Sequence, residues 1–159
     1  MQEILKAITK NAEETRKFAE VFARQVLSAS PDGTVGASRR VKKNQAVVIG
    51  LEGELGSGKT TFANGFARGL GIKEEMKSPT FILMRVFKIK KINFLHFDAH
   101  RIDSPKEFLA LGWRELLKNC KNILLIEWSD RVKKILPKNY FLFRLKYKEK
   151  NIRQIKLYG

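Results

Sequence analysis

The segment Gly-Glu-Leu-Gly-Ser-Gly-Lys-Thr at residues 53–60 constrains this chain most, because it fits the pattern Gly-x-x-x-x-Gly-Lys-Ser/Thr without a mismatch. The apolar run at residues 46–51 predicts a buried strand before it, and residues 60–70 predict a helix after it. A strand, a glycine-rich turn and a helix in this order point consecutive backbone N–H groups at a phosphate chain. The sequence therefore predicts a phosphate-binding P-loop.

Consecutive residues of this segment are the candidate nucleotide contacts: Glu54, Leu55, Gly56, Ser57, Gly58, Lys59, Thr60 and Thr61. Lys59 is expected to reach the β- and γ-phosphates, and the hydroxyl of Thr60 is expected to bind Mg²⁺. The Asn-Lys-x-Asp signature that reads guanine in GTPases is absent from the sequence, which favours ATP over GTP. The adenine contacts are expected near the start of the first helix, at residues 9–12.

Two carboxylates follow apolar strands elsewhere in the chain. Glu127 comes directly after the run at residues 123–126, where P-loop enzymes place the acid that holds Mg²⁺ through water; a solvated carboxylate is the alternative. Asp98 ends another apolar strand, on the same face as His96. Asp98 is expected to hold a metal-bound water or to orient the attacking water, whereas His96 is either structural or catalytic. We therefore expect Lys59, Asp98 and Glu127 to be the catalytic residues.

Two further features are open to more than one interpretation. Ser78, Pro79 and Thr80 lie where a switch segment would sense a γ-phosphate, although a simple turn has the same sequence. Arg101 is expected either to touch phosphate or to form an exposed salt bridge.

Apolar periodicity over the rest of the chain predicts an α/β fold with a mixed sheet flanked by helices in three layers. Asn11 and Glu14 are expected to cap a helix over residues 11–28. Ser104 and Pro105 open a second helical stretch that runs toward residue 117, divided by Gly112. The remaining predictions are a loop at residues 30–44, strands at residues 81–87, 92–97, 123–126, 140–146 and 152–157, and core positions at Phe18, Val21, Phe22 and Val26.

Composition restricts the cellular setting. The length of 159 residues suits one domain, and no apolar run approaches the ~20 residues that span a bilayer. Cys120 is the only cysteine, so no internal disulfide is possible and a reducing cytoplasm is expected. The formal net charge of +16 allows a nucleic-acid partner, since Lys and Arg neutralise phosphates, but the biased composition favours a Lys-rich solvated surface.

Taken together, these segments resemble the bacterial TsaE (YjeE) family of proteins over most of the chain, to about Pro137. The Ser-Pro-Thr-Phe, His-x-Asp and Glu-Trp motifs are more specific than the P-loop alone. The matching segments, in the family's order, are residues 53–62 with Gly65 and Leu70-Gly71, then Ser78-Pro79-Thr80-Phe81, His96-Phe97-Asp98 with Arg101, Gly112, Ile126-Glu127-Trp128 and Leu136-Pro137.

The resemblance implies a small ATPase that is required to form threonylcarbamoyladenosine next to the anticodon of tRNAs. It implies action with the TsaB–TsaD complex, so that tRNA contact is indirect, with direct contact possible from the basic surface. It also implies that Lys59 and Thr60 bind phosphate and Mg²⁺, that Glu127 is the Mg²⁺-linked acid and that Asp98 serves hydrolysis.

The sequence departs from the family pattern at three places. Glu54 stands where Asp is usual, Ala99-His100 replaces Leu-Tyr, and the loop at residues 30–44 is longer than is common. Two rival functions are a small-molecule kinase and a nucleotide-dependent binding module with little turnover. A kinase needs an acceptor site and an Arg-rich lid, and no such segment follows the P-loop. The binding module is harder to separate, because no arginine finger is obvious.

Overall fold

Seven strands form one mixed sheet in the computed structural model, which describes residues 1–28, 44–75 and 83–159. The strand order is β1-β7-β6-β2-β5-β4-β3. The four central strands β6, β2, β5 and β4 are parallel, and the outer strands pair antiparallel. The strands are β1 (Glu3–Thr9), β2 (Val47–Glu52), β3 (Met84–Ile89), β4 (Ile92–Asp98), β5 (Asn122–Glu127), β6 (Phe141–Glu149) and β7 (Ile152–Tyr158).

Helices cover both faces of the sheet and bury two apolar clusters. The helices α1 (Ala12–Ser28) and α2 (Lys59–Gly69) pack on one face. The helices α3 (Pro105–Ala110) and α4 (Trp113–Lys118), with a 3-10 helix at Ser129–Ile135, pack on the other. The expected three-layer α/β fold is confirmed. Among the described residues, no helix is both long and apolar enough to span a membrane.

The predicted helix boundaries rest on observed caps. The Oδ1 atom of Asn11 accepts a hydrogen bond from the Glu14 N–H at 2.8 Å. The Glu14 carboxylate accepts from the Lys10 N–H at 2.7 Å, one residue earlier than a standard capping box requires. Gly112 separates α3 from α4 with a φ of 77°, a backbone conformation that suits glycine.

Several predictions need correction or fall outside the described residues. Val21 is 51% exposed and is not part of the core, because it lines an open groove between α1 and the edge strand β1. Neither β1 nor the 3-10 helix is predicted from the sequence. The strand expected at residues 81–87 runs from Met84 to Ile89. Most of the loop at residues 30–44 and the proposed switch at Ser78, Pro79 and Thr80 lie outside the described residues.

The helices α1 and α2 approach each other so closely that only glycine fits at two positions of α2. A Cβ atom on Gly65 would lie 2.2 Å from the Arg16 carbonyl oxygen, and one on Gly69 would lie 2.5 Å from the Glu20 carbonyl oxygen. Beneath this contact, Phe22 packs edge-on against Phe143 of β6, with 4.8 Å between ring centroids. The close contact sets the position of α2 and of the loop that precedes it.

We predict that Gly65→Ala destabilises the protein. Alanine normally stabilises a helix interior by up to about 1 kcal/mol relative to glycine, but the collision with the α1 backbone should reverse that gain and cost roughly 1–3 kcal/mol. Urea unfolding followed by circular dichroism measures the change. Val21→Ala, at an exposed position of α1, is the control and should have little effect. A Gly65→Ala variant as stable as the parent chain would show that the helices can separate freely.

Candidate functional site

The glycine-rich segment forms the turn between β2 and α2. Gly58 precedes the first turn of α2 with a φ of 99°, and no side chain caps that turn. A Cβ atom on Gly53 would lie 2.3 Å from the Leu145 carbonyl oxygen, so this position also requires glycine. The backbone N–H groups at the start of α2 are thus left open to an external acceptor.

A cavity of about 460 Å³ opens beside this turn and contains most of the predicted site. It lies between the end of β2 and the neighbouring strands of the sheet. The predicted residues that line it are Leu55, Gly56, Gly58, Lys59, Thr60, Thr61, Asp98 and Glu127.

Some candidate residues do not line this cavity. The Glu54 side chain is exposed beside a neighbouring cavity, and only its carbonyl oxygen takes part in the loop, as an acceptor from Lys59. The Ser57 side chain is buried within the loop, with its Oγ atom 3.4 Å from the Lys59 Nζ atom. The Arg101 side chain is exposed outside the cavity.

A chain of hydrogen bonds joins α2 to two strands. The Thr60 hydroxyl donates to one oxygen of Glu127 at 2.9 Å, and the other oxygen lies 2.9 Å from the Nε2 atom of His96. Because a carboxylate only accepts, His96 must carry a proton on Nε2. Its Nδ1 atom has no partner among the described residues, which suits an unprotonated nitrogen. His96 and Glu127 are both buried, so these hydrogen bonds hold the Glu127 carboxylate in one orientation.

The second carboxylate lies on the neighbouring strand. Asp98 and Glu127 are direct partners in the parallel pairing of β4 with β5, and both side chains are buried. The Oδ1 atom of Asp98 accepts from the His100 N–H at 2.9 Å. The carboxyl ends of β4 and β5 therefore present two acids to one cavity.

The Lys59 ammonium group is turned into its own loop. It donates to the carbonyl oxygens of Gly53 at 2.6 Å and Glu54 at 2.8 Å, and it lies 3.7 Å from the centre of a Trp128 ring. Desolvation lowers the pKa of Lys59, although the nearby carboxylates, Glu127 first, oppose the shift. Binding of a phosphate would exchange these carbonyl contacts for charged oxygens.

Trp128 follows Glu127 and shapes the mouth of the cavity. Its φ of 58° is unusual for a bulky residue and marks local backbone strain. The His100 ring packs against it with 4.7 Å between centroids. Ala99 is fully buried, and its N–H donates to the Glu127 carbonyl oxygen at 3.0 Å. The departure at Ala99-His100 is therefore accommodated without disturbing Glu127.

Residues from two further segments line the other side of the cavity. Ala12, within the region expected to contact adenine, and Thr15, for which no role is predicted, belong to the start of α1. Asn151 comes from the turn between β6 and β7, and Arg153 from the start of β7, both far away in sequence. No motif links that turn to the P-loop, so only the paired strands bring them together.

A mixed sheet with four parallel central strands, a glycine-rich loop after one of them, and acids at the ends of the next two strands defines a P-loop protein. Residues 9–155 match the model of a family described as Threonylcarbamoyl adenosine biosynthesis protein TsaE. The chain belongs to the TsaE family.

Individual relatives agree with this assignment. The tRNA threonylcarbamoyladenosine biosynthesis protein TsaE of Rickettsia prowazekii is 35% identical over 141 residues, which cover 88% of this chain and 85% of that protein. The Bacillus subtilis protein of the same name is 33% identical over 84% of this chain and 72% of its own length. A crystal structure of YdiB from Bacillus subtilis superposes with a TM-score of 0.67 at 25% identity, covering 99% of this chain and 86% of that one.

Proposed function

We propose that this protein binds and hydrolyses ATP with Mg²⁺, and that hydrolysis supports the formation of threonylcarbamoyladenosine next to the anticodon of tRNA. The hydrogen bond between Thr60 and Glu127, 2.9 Å long, is the observation that carries the proposal. In P-loop NTPases the loop hydroxyl and an acid from a neighbouring strand hold Mg²⁺ together. Membership of the TsaE family supports the tRNA pathway and, with it, a cytoplasmic setting.

Phosphate binding would use the backbone of the loop and the start of α2. The N–H groups of Lys59, Thr60 and Thr61 carry the positive end of the helix dipole and have no side-chain cap. Lys59 would leave the carbonyl oxygens of its loop and contact the β- and γ-phosphates. The glycine-rich turn and the uncapped start of α2 therefore support phosphate binding at this loop.

The donor atoms at the acidic side of the cavity fit Mg²⁺. The Thr60 hydroxyl and the Glu127 carboxylate offer oxygen atoms, which hard cations prefer. The described residues contain no group of three or more His, Cys, Asp or Glu side chains that could hold a metal by themselves. Mg²⁺ needs no such group, because it usually keeps several waters and shares substrate phosphates. When bound there, it would neutralise charge on the transferred phosphoryl group.

Asp98 is proposed to orient the attacking water or to hold a metal-bound water. It is buried at the carboxyl end of β4, beside Glu127, and lines the cavity. His96 is proposed to position Glu127 rather than to contact the nucleotide, since its Nε2 atom is already engaged by that carboxylate.

We predict that Lys59→Ala lowers ATP turnover by roughly a hundredfold or more, since a preorganised charge on a transferring group is worth that much. Weaker nucleotide binding should accompany the loss, and the fold should persist. Phosphate release and calorimetric titration measure the two effects, with the exposed Lys138→Ala as the control. Equal turnover in Lys59→Ala and the parent chain would exclude catalysis at this loop.

Glu127→Gln should lower turnover at least about tenfold and change ATP affinity much less. The amide keeps the size of the side chain and an acceptor for Thr60, but it loses the charge that would hold Mg²⁺. Comparing turnover across a magnesium titration, with Asp98→Asn measured in parallel, separates the two acids. Normal turnover in Glu127→Gln would leave Glu127 as a structural partner of His96.

The TsaB–TsaD complex is the proposed partner, with tRNA contacted through that complex. No arginine of the described residues lines the cavity on the side of Asp98 and Glu127, so slow turnover by the isolated chain is expected. The partner could supply a missing group or exclude water from the site.

We therefore predict that TsaB–TsaD accelerates ATP turnover and that a non-hydrolysable ATP analogue tightens binding to the complex. The two effects are linked, because coupling between binding sites is reciprocal. Titration of labelled protein with the complex, with and without the analogue, measures the coupling. Identical affinities would argue against a nucleotide-dependent switch, and transfer of phosphate to an acceptor other than water would favour a kinase.

A further inference from the structure

The sheet order divides the surroundings of the P-loop into two sides. β2, which leads into the loop, lies between β5 and β6. The acids Asp98 and Glu127 stand at the ends of β4 and β5, on one side. On the other side, β7 is the next strand after β6, and it carries Arg153.

Arg153 reaches the loop from that second side. It lines the same cavity as Lys59 and Thr60. A Cβ atom built on Gly58 would lie 3.8 Å from the Nε atom of Arg153. The guanidinium group is therefore beside the backbone that is proposed to bind phosphates, although Arg153 is far from Lys59 in the sequence.

The strands β6 and β7 hold this guanidinium group in place. Arg153 is the direct strand partner of Tyr147, and its Cζ atom lies 4.6 Å from the centre of the Tyr147 ring. Its Nη1 atom donates to the carbonyl oxygens of Ile152 at 3.2 Å and Lys150 at 3.5 Å. Within the described part of the chain, the Nε and Nη2 donors have no protein acceptor.

No acid of the described residues neutralises the charge of Arg153. Among residues 1–28, 44–75 and 83–159, no carboxylate forms an ion pair with it. By contrast, Arg144 on the adjacent strand is bound to Glu52 at 2.8 Å, and Arg68 is bound to Glu13 and Glu20. A half-buried guanidinium group with free donors and no acid beside it is complementary to an anion.

We propose that Arg153 binds the α-phosphate of the nucleotide. This inference rests on the proposed function and extends it to a residue on the far side of the loop. If the γ-phosphate lies toward Thr60 and Glu127, the phosphate chain runs across the loop and its α-phosphate lies toward β7. The base then lies beyond, near Ala12, Thr15 and Asn151, which line the same end of the cavity. Arg153 thus fixes the direction in which the nucleotide enters.

The test uses the full chain and calorimetric titration with the Mg²⁺ complexes of ATP, ADP and tripolyphosphate. R153Q should weaken the binding of ATP and of ADP by the same factor, roughly tenfold or more, because both nucleotides keep the α-phosphate. The binding of tripolyphosphate, which lacks the base, should weaken by a similar factor. R153K keeps the charge but not the planar fork, so its loss of affinity should be smaller. K148Q removes one charge from an exposed position near the same turn and should bind all three ligands like the parent chain.

Other results would overturn the proposal. A loss confined to the nucleotides, with tripolyphosphate unchanged, would mean that Arg153 stacks on the base. If R153Q binds all three ligands like the parent chain, Arg153 only supports the β6–β7 turn. If K148Q loses as much affinity as R153Q, the effect comes only from the general positive charge of this surface. Thermal unfolding without ligand shows whether each variant is folded. If R153Q does not fold, the same titrations are made with R153K. Failure of the parent chain to bind any of these ligands would remove the proposed function as well.

Discussion

The parallel hydrogen bonding of β2 to β5, and of β5 to β4, aligns the carboxyl ends of three strands at one edge of the sheet. Leu51 pairs with Glu127, and Glu127 pairs with Asp98. Both faces of these strands are buried, but a slip of one residue would move Glu127 out of reach of Thr60 and His96, so these hydrogen bonds depend on the register. The glycine-rich loop and the two acids meet because of this register, and the cavity depends on it.

The close approach of α1 to α2 and the hydrogen bonds of Glu127 hold the loop from both sides. Gly65 permits the backbone contact between the helices, while Thr60 ties the start of α2 to Glu127 and through it to His96. Lys59 meanwhile satisfies the carbonyl oxygens of its own loop. The backbone that we propose to bind a phosphate chain is thus held by its neighbours, and such preorganisation reduces the entropy lost when a ligand binds.

The two sides of the loop differ in charge. Buried acids lie on the side of β5 and β4, whereas Arg153, which has no acid partner among the described residues, lies on the side of β7. A metal-bound phosphate suits the first side, and an unmetallated phosphate suits the second. This asymmetry determines which end of the proposed nucleotide site of this TsaE family member takes the γ-phosphate. None of the described arginines reaches that end, so a partner protein could supply a cation there.

The local sequence was sufficient for the features that depend on neighbouring residues. The P-loop, the caps of α1 and α3, the break at Gly112 and the apolar central strands follow from short patterns, because their conformations are set within a few positions. The placement of Asp98 and Glu127 beside the loop also followed, since parallel strands present their ends together. Short patterns did not predict four other features: strand β1, the exposure of Val21, the packing of His100 against Trp128 and the approach of Arg153 to Gly58. Each of these depends on pairing between segments distant in the chain, and only the tertiary structure decides which distant segments pair.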